Sequence, residues 1–164
     1  MPAASRVAKI VMVLGLSAFA FLVTFNNLTD YGSNFAFVSH VLAMDDTFPG
    51  NALMWRAITD PIFWHIGYWA IIAGEGITAA LFAVGGIAML RRVNGTAGEF
   101  GRAKRMVHFG AAMGFLVWFV GFMVIGGEWF AMWQSSTWNG QAPAFRFYIT
   151  ILAVVIYVGQ ADPD

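Results

Sequence analysis

Glu75 is the residue whose chemistry stands out first. It lies about fourteen residues into an apolar run that starts at Pro61 and continues to Leu90. If this run is a helix that crosses a membrane, Glu75 lies near the middle of the bilayer, where an ionised carboxylate costs several kcal/mol unless a partner compensates. No Lys or Arg lies at that depth in the other apolar runs, so we expect a neutral, hydrogen-bonded acid.

Two interpretations of Glu75 follow from this position. It is either an acid that carries a proton or binds an ion, or a residue that links helices by a hydrogen bond, with Gly74 and Gly76 allowing close approach. Counting from the ends of the apolar runs puts Ser17, Trp118 and Thr150 at similar depth. These three side chains are the predicted neighbours.

A second set of residues has the chemistry of metal ligands. His40, His65 and Glu128 are all expected on one side of the membrane, together with the loop carboxylates Asp45, Asp46 and Asp60. Imidazole and carboxylate can bind hard or borderline metals, but their spacing here matches no metal motif. The sequence has no cysteine, which excludes thiolate sites. We therefore predict no metal and no other cofactor, and keep His40, His65 and Glu128 as the only candidates.

Tryptophans are concentrated on the same side of the membrane as these candidate metal ligands. Six of the seven, all except Trp118, fall near that side, which is more than anchoring at a membrane interface requires. They indicate an aromatic belt or a surface that docks a partner. The candidates for such a surface are Trp55, Trp64, Trp129, Trp133 and Trp138.

The composition requires a membrane. Of the 164 residues, 59% are hydrophobic and 11% are charged, against about 25% charged in a soluble domain. A helix needs roughly 20 apolar residues to cross the hydrocarbon, so the chain has room for four spans in one membrane domain. The predicted fold is an all-α bundle of four transmembrane helices. The spans are about 7–27, 62–90, 106–127 and 145–160.

The connections between spans differ in character. Residues 28–60 and 128–143 form two loops on one side, and the first contains a short amphipathic helix over residues 35–44. Asn26, Asn27, Asp30 and Asn34 have the side chains of helix caps and turns, where the first span ends. Residues 91–105 are glycine-rich and basic, and we expect them to form a solvent loop.

Basic residues indicate the orientation. Arg56 and Arg146 lie on the side of the long loops, and seven basic residues lie on the other side. The positive-inside rule makes the seven cytoplasmic, with both termini, in the inner membrane of a bacterium. The seven are Arg6, Lys9, Arg91, Arg92, Arg102, Lys104 and Arg105.

Three stretches of the sequence resemble one known family. They are Phe25-Asn-Asn-Leu-Thr-Asp-Tyr-Gly-Ser-Asn34, Phe37-Val-Ser-His-Val-Leu-Ala-Met-Asp45 and Trp55-Arg-Ala-Ile58. With the glutamate in the second span and the basic central loop, the chain resembles the bacterial small integral membrane proteins grouped as domain of unknown function 2165. The resemblance covers essentially the whole chain and implies a membrane fold, but it implies no activity, substrate or cofactor.

Three functions remain open at this point. The favoured one is a non-catalytic accessory subunit of a larger inner-membrane complex of respiratory, photosynthetic or dehydrogenase type, because there is no catalytic set and ample surface for lateral contacts. The second is a small proton or ion transporter or channel component centred on Glu75. The third is a metal or redox subunit built on His40 and His65. Expected partners are lipids and other membrane subunits, and no nucleic acid.

Overall fold

The computed structural model describes residues 2–162, and these residues form helices and connections without a strand. The predicted all-α class is confirmed. The helices are α1 Pro2–Thr29, α2 Tyr31–Ala43, α3 Pro61–Arg91, α4 Ala97–Ala103, α5 Arg105–Phe115 and α6 Gln141–Gly159. A π-helix, Leu116–Trp129, continues α5, and short 3-10 turns lie at Met54–Arg56 and Met132–Gln134.

Four helical segments are long and apolar enough to cross a membrane. They are Ala4–Thr29, Pro61–Arg91, Ala97–Trp129 and Gln141–Gly159. The second has 31 residues, which is about 46 Å at 1.5 Å per residue and exceeds the hydrocarbon thickness of about 30 Å. Asp60 caps its first turn by accepting a hydrogen bond from the Ile62 amide, with Pro61 at the first helical position.

Close packing at glycines sets the arrangement of the long helices. A Cβ at Gly85 would lie 2.7 Å from Val107 Cγ2, and one at Gly86 would lie 2.5 Å from Leu14 Cδ2. The absent side chains therefore let α3 approach α5 on one face and α1 on another. Helix α6 packs against the π-helix, α5 and α1. The core of the bundle is apolar, with Val13, Phe82, Val107 and Trp118 buried in it.

The second half of the third span is a π-helix. At its end the amide of Phe130 donates to the carbonyl of Ile125, five residues back, at 3.0 Å. Most π-helical segments in proteins are single turns inside α-helices and often occur at functional sites. This one extends over 14 residues, and Trp118 and Phe122 belong to it.

The two ends of the bundle differ. The capped end is covered by α2 and by the loops that carry the two 3-10 turns; there Val41, Met44, Phe130 and Met132 form a small separate core. Helix α2 begins at Tyr31, four residues before the predicted start at residue 35, and one residue separates it from α1. Its buried Val38 and Val41 face the bundle, and it packs against α3.

The opposite end, here called the basic end, departs from the sequence prediction. Residues 91–105 are not wholly a loop, because α4 forms within them. Thr96 caps α4 by accepting from the Glu99 amide at 3.3 Å, and Glu99 accepts from the Thr96 amide at 3.0 Å. This reciprocal capping box starts a helix even in a glycine-rich segment. Phe100, fully buried in the core, holds α4 in place.

Candidate functional site

Glu75 faces the interior of the bundle. Only 2% of the surface of Glu75 is exposed to solvent. Its Oε2 atom accepts a hydrogen bond of 2.7 Å from Nδ2 of Asn27 on α1. Close packing behind the acid comes from Gly74, where an added Cβ would lie 2.5 Å from Val117 Cγ2. The carboxyl group therefore lies between α3, α1 and the π-helix, away from lipid.

Asn27 connects Glu75 to the surface at the capped end. The Oδ1 of Asn27 accepts 2.6 Å from Asn34 Nδ2 on α2, and its backbone carbonyl accepts 3.3 Å from the Tyr68 hydroxyl. Asn27 is buried, whereas Asn34 is exposed. The side chains of Asn34, Asn27 and Glu75 thus form a continuous hydrogen-bonded chain from the surface to the buried carboxyl.

A cavity of about 280 Å³ adjoins this chain of polar groups. Glu75, Asn27, Asn34 and Tyr68 are its polar wall. The only hydrogen bond to the Glu75 carboxyl from the part of the chain that the structure describes is the one to Oε2, so Oε1 has no protein donor there. The rest of the wall is apolar or aromatic and comes from α1, α2, α3, the π-helix and the start of α6; it includes Phe37, Trp118, Phe122 and Phe147.

A second cavity lies beside the first and is almost purely apolar. Its volume is about 390 Å³, and it runs between α3 and the π-helix under α2. Phe37, Val38, Ile71 and Phe122 line both cavities. The rings of Phe37 and Phe122 stack with centroids 6.0 Å apart, so this ring pair lies between the polar space and the apolar space.

The predicted neighbours of Glu75 are brought together only in part. Trp118 lines the same cavity. Ser17 lies about one turn of α3 away, where its hydroxyl donates 2.9 Å to the Ala79 carbonyl. Thr150 is exposed and bonds to the Arg146 carbonyl at 2.6 Å, so it has no place in the site.

Asn27 is the site residue that the sequence reasoning missed. The sequence predicts a capping or turn role for Asn27 at the end of the first span, but α1 continues to Thr29 and Asn27 lies inside the helix. Its side chain bonds to another helix instead of to a local backbone group. The sequence did contain a signal for this role. Asn27 is an amide at the end of the first apolar span, and the next span carries Glu75, an acid with no basic residue at its depth.

The metal candidates do not converge. His40 Nδ1 bonds to Asp45 at 2.9 Å, and the His40 ring stacks on Trp138 with centroids 4.4 Å apart. His65 Nδ1 shares a hydrogen bond of 2.8 Å with the Tyr31 hydroxyl. Glu128 is exposed on the last turn of the π-helix. Within residues 2–162, no three His, Cys, Asp or Glu side chains are grouped so that they could hold a metal ion.

The five candidate tryptophans divide into two groups. Trp64 donates 2.6 Å to the Ile58 carbonyl, and Trp138 stacks on His40, so these two contribute to the structure of the cap. Trp55, Trp129 and Trp133 are exposed, with Trp55 71% exposed. Together with exposed Phe48 they form the aromatic surface of the capped end. Edge-to-face contacts join Trp55 to Trp129 at 5.9 Å and Phe48 to Trp133 at 5.7 Å.

The basic end contains an ion cluster that ties the chain's C-terminal segment to the bundle. Asp162 bonds to Lys9 Nζ at 2.8 Å and to Lys104 Nζ, and all three side chains are at most 7% exposed. Burial alone would raise the pKa of the Asp162 carboxyl. The hydrogen bonds and charges of Lys104 and Lys9 outweigh burial and leave that pKa below its ordinary value. The cluster joins three parts of the bundle: Lys9 is on α1, Lys104 lies between α4 and α5, and Asp162 follows α6.

A helical bundle with four segments of this length and apolarity, and with its Lys and Arg residues near the ends of those segments or between them, defines an integral membrane protein. The chain belongs to the family described as predicted small integral membrane protein, domain of unknown function 2165, which it matches over residues 5–161. This confirms the resemblance noted from the sequence. Comparisons with curated proteins and with solved structures return no match.

Proposed function

We propose that this protein binds a proton or a small cation at Glu75 and acts as a small transport component in the membrane. The observation that carries the proposal is the placement of a buried carboxyl group beside a cavity, with one oxygen that receives no hydrogen bond from the described residues. Ionisable groups inside membrane spans usually mark ion pathways or relays when they face the bundle interior. A lipid-facing Glu75 would have argued against this function.

The cavity provides access from the capped end, where exposed Asn34 and Pro143 form part of its wall. A proton or small cation can reach the carboxyl group through water in this space, and the carboxamides of Asn34 and Asn27 hold the carboxyl group in place by hydrogen bonds. At about 280 Å³ the cavity is large enough to hold several water molecules. Water in this space would solvate Glu75 without opening the bundle.

Proton flux into liposomes tests the proposal. Purified protein is reconstituted with a pH-sensitive dye inside the vesicles, and a pH step is applied with a potassium–valinomycin potential. We expect flux in the wild type, no flux with Glu75→Gln, and unchanged flux with Glu128→Gln, an exposed acid at the capped end. Equal flux with Glu75→Gln would refute the role of Glu75.

Orientation and location are part of the proposal. The excess of Lys and Arg at the basic end supports an inner-membrane protein of a bacterium with both termini in the cytoplasm. Because the chain has no cysteine, single variants Ser136→Cys at the capped end and Asn94→Cys at the basic end can be labelled in whole cells with an impermeant maleimide. We expect immediate labelling at residue 136, and labelling at residue 94 only after permeabilisation.

A second candidate function is that of a non-catalytic accessory subunit in a larger membrane complex. The aromatic surface of the capped end supports it, because exposed Trp is enriched at the centres of protein interfaces. Arg56 strengthens this argument, since its guanidinium lies 4.6 Å from the Trp129 ring centroid and 5.2 Å from that of Trp55. An Arg–Trp cluster of this kind is a suitable anchor for a partner. Neither function requires catalysis or a cofactor.

Co-purification in mild detergent at native expression level tests the subunit function. We expect stoichiometric recovery of one membrane complex, lost with the pair Trp55→Ala and Trp133→Ala and retained with Phe21→Ala, an exposed side chain on α1. Recovery of the protein alone, or of the same complex with the tryptophan pair replaced, would exclude docking through this surface.

A further inference from the structure

The cavity beside Glu75 has an unbalanced set of polar groups. Its described wall contains one carboxyl group, two carboxamides and one phenol, and no Lys, Arg or His side chain. A buried carboxylate is usually paired with a cation, and the described residues supply none to the free carboxyl oxygen of Glu75. The group that complements this wall is therefore a positive charge with a hydrogen-bond donor.

Aromatic rings surround the same space. Phe37, Trp118, Phe122 and Phe147 line the cavity, and Trp118 and Phe147 meet edge to face with centroids 5.7 Å apart. An inorganic cation is coordinated by oxygen atoms, whereas an organic ammonium is stabilised by the faces of aromatic rings, most strongly by Trp. The composition of the wall favours an organic cation with an apolar body.

The size of the cavity limits that ligand. At about 280 Å³ the space lies just below the range of roughly 300–1,000 Å³ typical of ligand pockets, which fits a ligand with a single ring. Two residues of its wall, Asn34 on α2 and Pro143 at the start of α6, are exposed, so the cavity reaches the surface between these two elements.

We propose that this cavity binds a small aromatic ammonium compound, with its ammonium group on the free oxygen of Glu75 and its ring among the four aromatic side chains. The inference rests on the proposed role of Glu75 as a cation site and identifies the substrate class. When Glu75 is protonated, the arriving ammonium displaces that proton to water, so proton and organic cation compete for one carboxylate.

Calorimetric titration of the purified full chain in detergent tests this assignment. The probe is phenethylammonium, and the matched neutral probe is 2-phenylethanol, which has the same ring and chain length. We expect the ammonium to bind at least tenfold more tightly than the alcohol in the wild type and in Glu128→Gln. Glu75→Gln keeps an oxygen that can accept from Asn27, so it should fold, and it should lose the preference for the cation.

Three results would overturn the assignment: no binding of phenethylammonium, equal affinity for the alcohol, or an unchanged preference in Glu75→Gln. The flux experiment separates this failure from failure of the proposed function. Proton flux that depends on Glu75 without ammonium binding refutes the substrate class alone. Ammonium binding that depends on Glu75 without proton flux supports the binding site and refutes proton transport by the protein.

Discussion

Replacing Asn27 by alanine should lower the free energy of unfolding by about 1.5 kcal/mol. The variant removes the 2.7 Å bond from the Asn27 amide to the buried Glu75 carboxyl. Removing one partner of a buried hydrogen bond costs about 1–3 kcal/mol, whereas hydrogen bonds between membrane helices contribute at most about 1.7 kcal/mol. The two ranges overlap near 1.5 kcal/mol, which is about a tenfold change in the unfolding equilibrium.

The second bond of Asn27 adds little to this value. Its Oδ1 accepts from Asn34, which is exposed and can turn to water when Asn27 is shortened. The bond from Tyr68 goes to the backbone carbonyl of Asn27 and remains in the variant. The loss therefore measures the contact between Asn27 and Glu75.

Unfolding by sodium dodecyl sulfate in mixed micelles, followed by tryptophan fluorescence, is a suitable assay. Asn26→Ala is the matched control, because Asn26 is the exposed neighbour on the same helix. A double-mutant cycle with Glu75→Ala isolates the pair, and we expect a coupling energy of about 1.5 kcal/mol. Additive effects of the two substitutions, or equal stability of Asn27→Ala and Asn26→Ala, would refute the reasoning.

Three further predictions concern packing and the ion cluster. Gly74→Ala should destabilise by about 1–3 kcal/mol, since its methyl group meets a valine side chain, whereas Gly15→Ala, with open space around it, should be neutral or slightly stabilising. Trp118→Ala should cost about 3–5 kcal/mol, and exposed Trp55→Ala about 0.5 kcal/mol or less. Asp162→Asn should destabilise at neutral pH because it leaves two buried lysines without their carboxylate.

The same detergent unfolding assay checks all three, and pH adds a second test of the ion cluster. The folded pKa of Asp162 lies below its ordinary value of 3.8, so its contribution to stability is fully present above that value and is lost as pH falls through the folded pKa. The stability difference between wild type and Asp162→Asn should persist from neutral pH down to pH 5, because this range lies above the folded pKa of the Asp162 carboxyl. A difference that disappears within this window, or equal costs at Gly74 and Gly15, would contradict these assignments.

Much of the fold could be read from the amino-acid order alone. Long apolar runs identify membrane helices because burying that much apolar surface requires hydrocarbon, and Asp60-Pro61 identifies where α3 begins. The position of Glu75 within its run also predicted that the acid needs a partner. The capping box of Thr96 and Glu99 was present in the sequence too, but the surrounding glycines pointed to a loop, and α4 was missed.

The partner of Glu75 could not be derived in this way. Depth along the bilayer can be counted from the sequence, and it correctly placed Trp118 near the acid. Which side of each helix faces Glu75 depends on how the helix is rotated about its axis, and counting residues does not give that rotation. Depth alone therefore wrongly made Thr150 a neighbour and omitted Asn27. A polar side chain at the end of an apolar run has the same local pattern whether it caps its own helix or bonds to another.

The sequence by itself determined the class of protein and which end of the bundle has the excess of basic residues. Hydropathy and charge are properties of each residue, so they can be summed along the chain without knowing the fold. Tertiary structure decided the site: Gly74, Gly85 and Gly86 allow the long helices to pack closely, and that packing encloses Glu75, Asn27 and a cavity ringed by aromatic side chains. The cavity is made by five segments, α1, α2, α3, the π-helix and the start of α6, whose lining residues range from Val23 to Phe147. Its shape and the free carboxyl oxygen exist only once those segments are packed together.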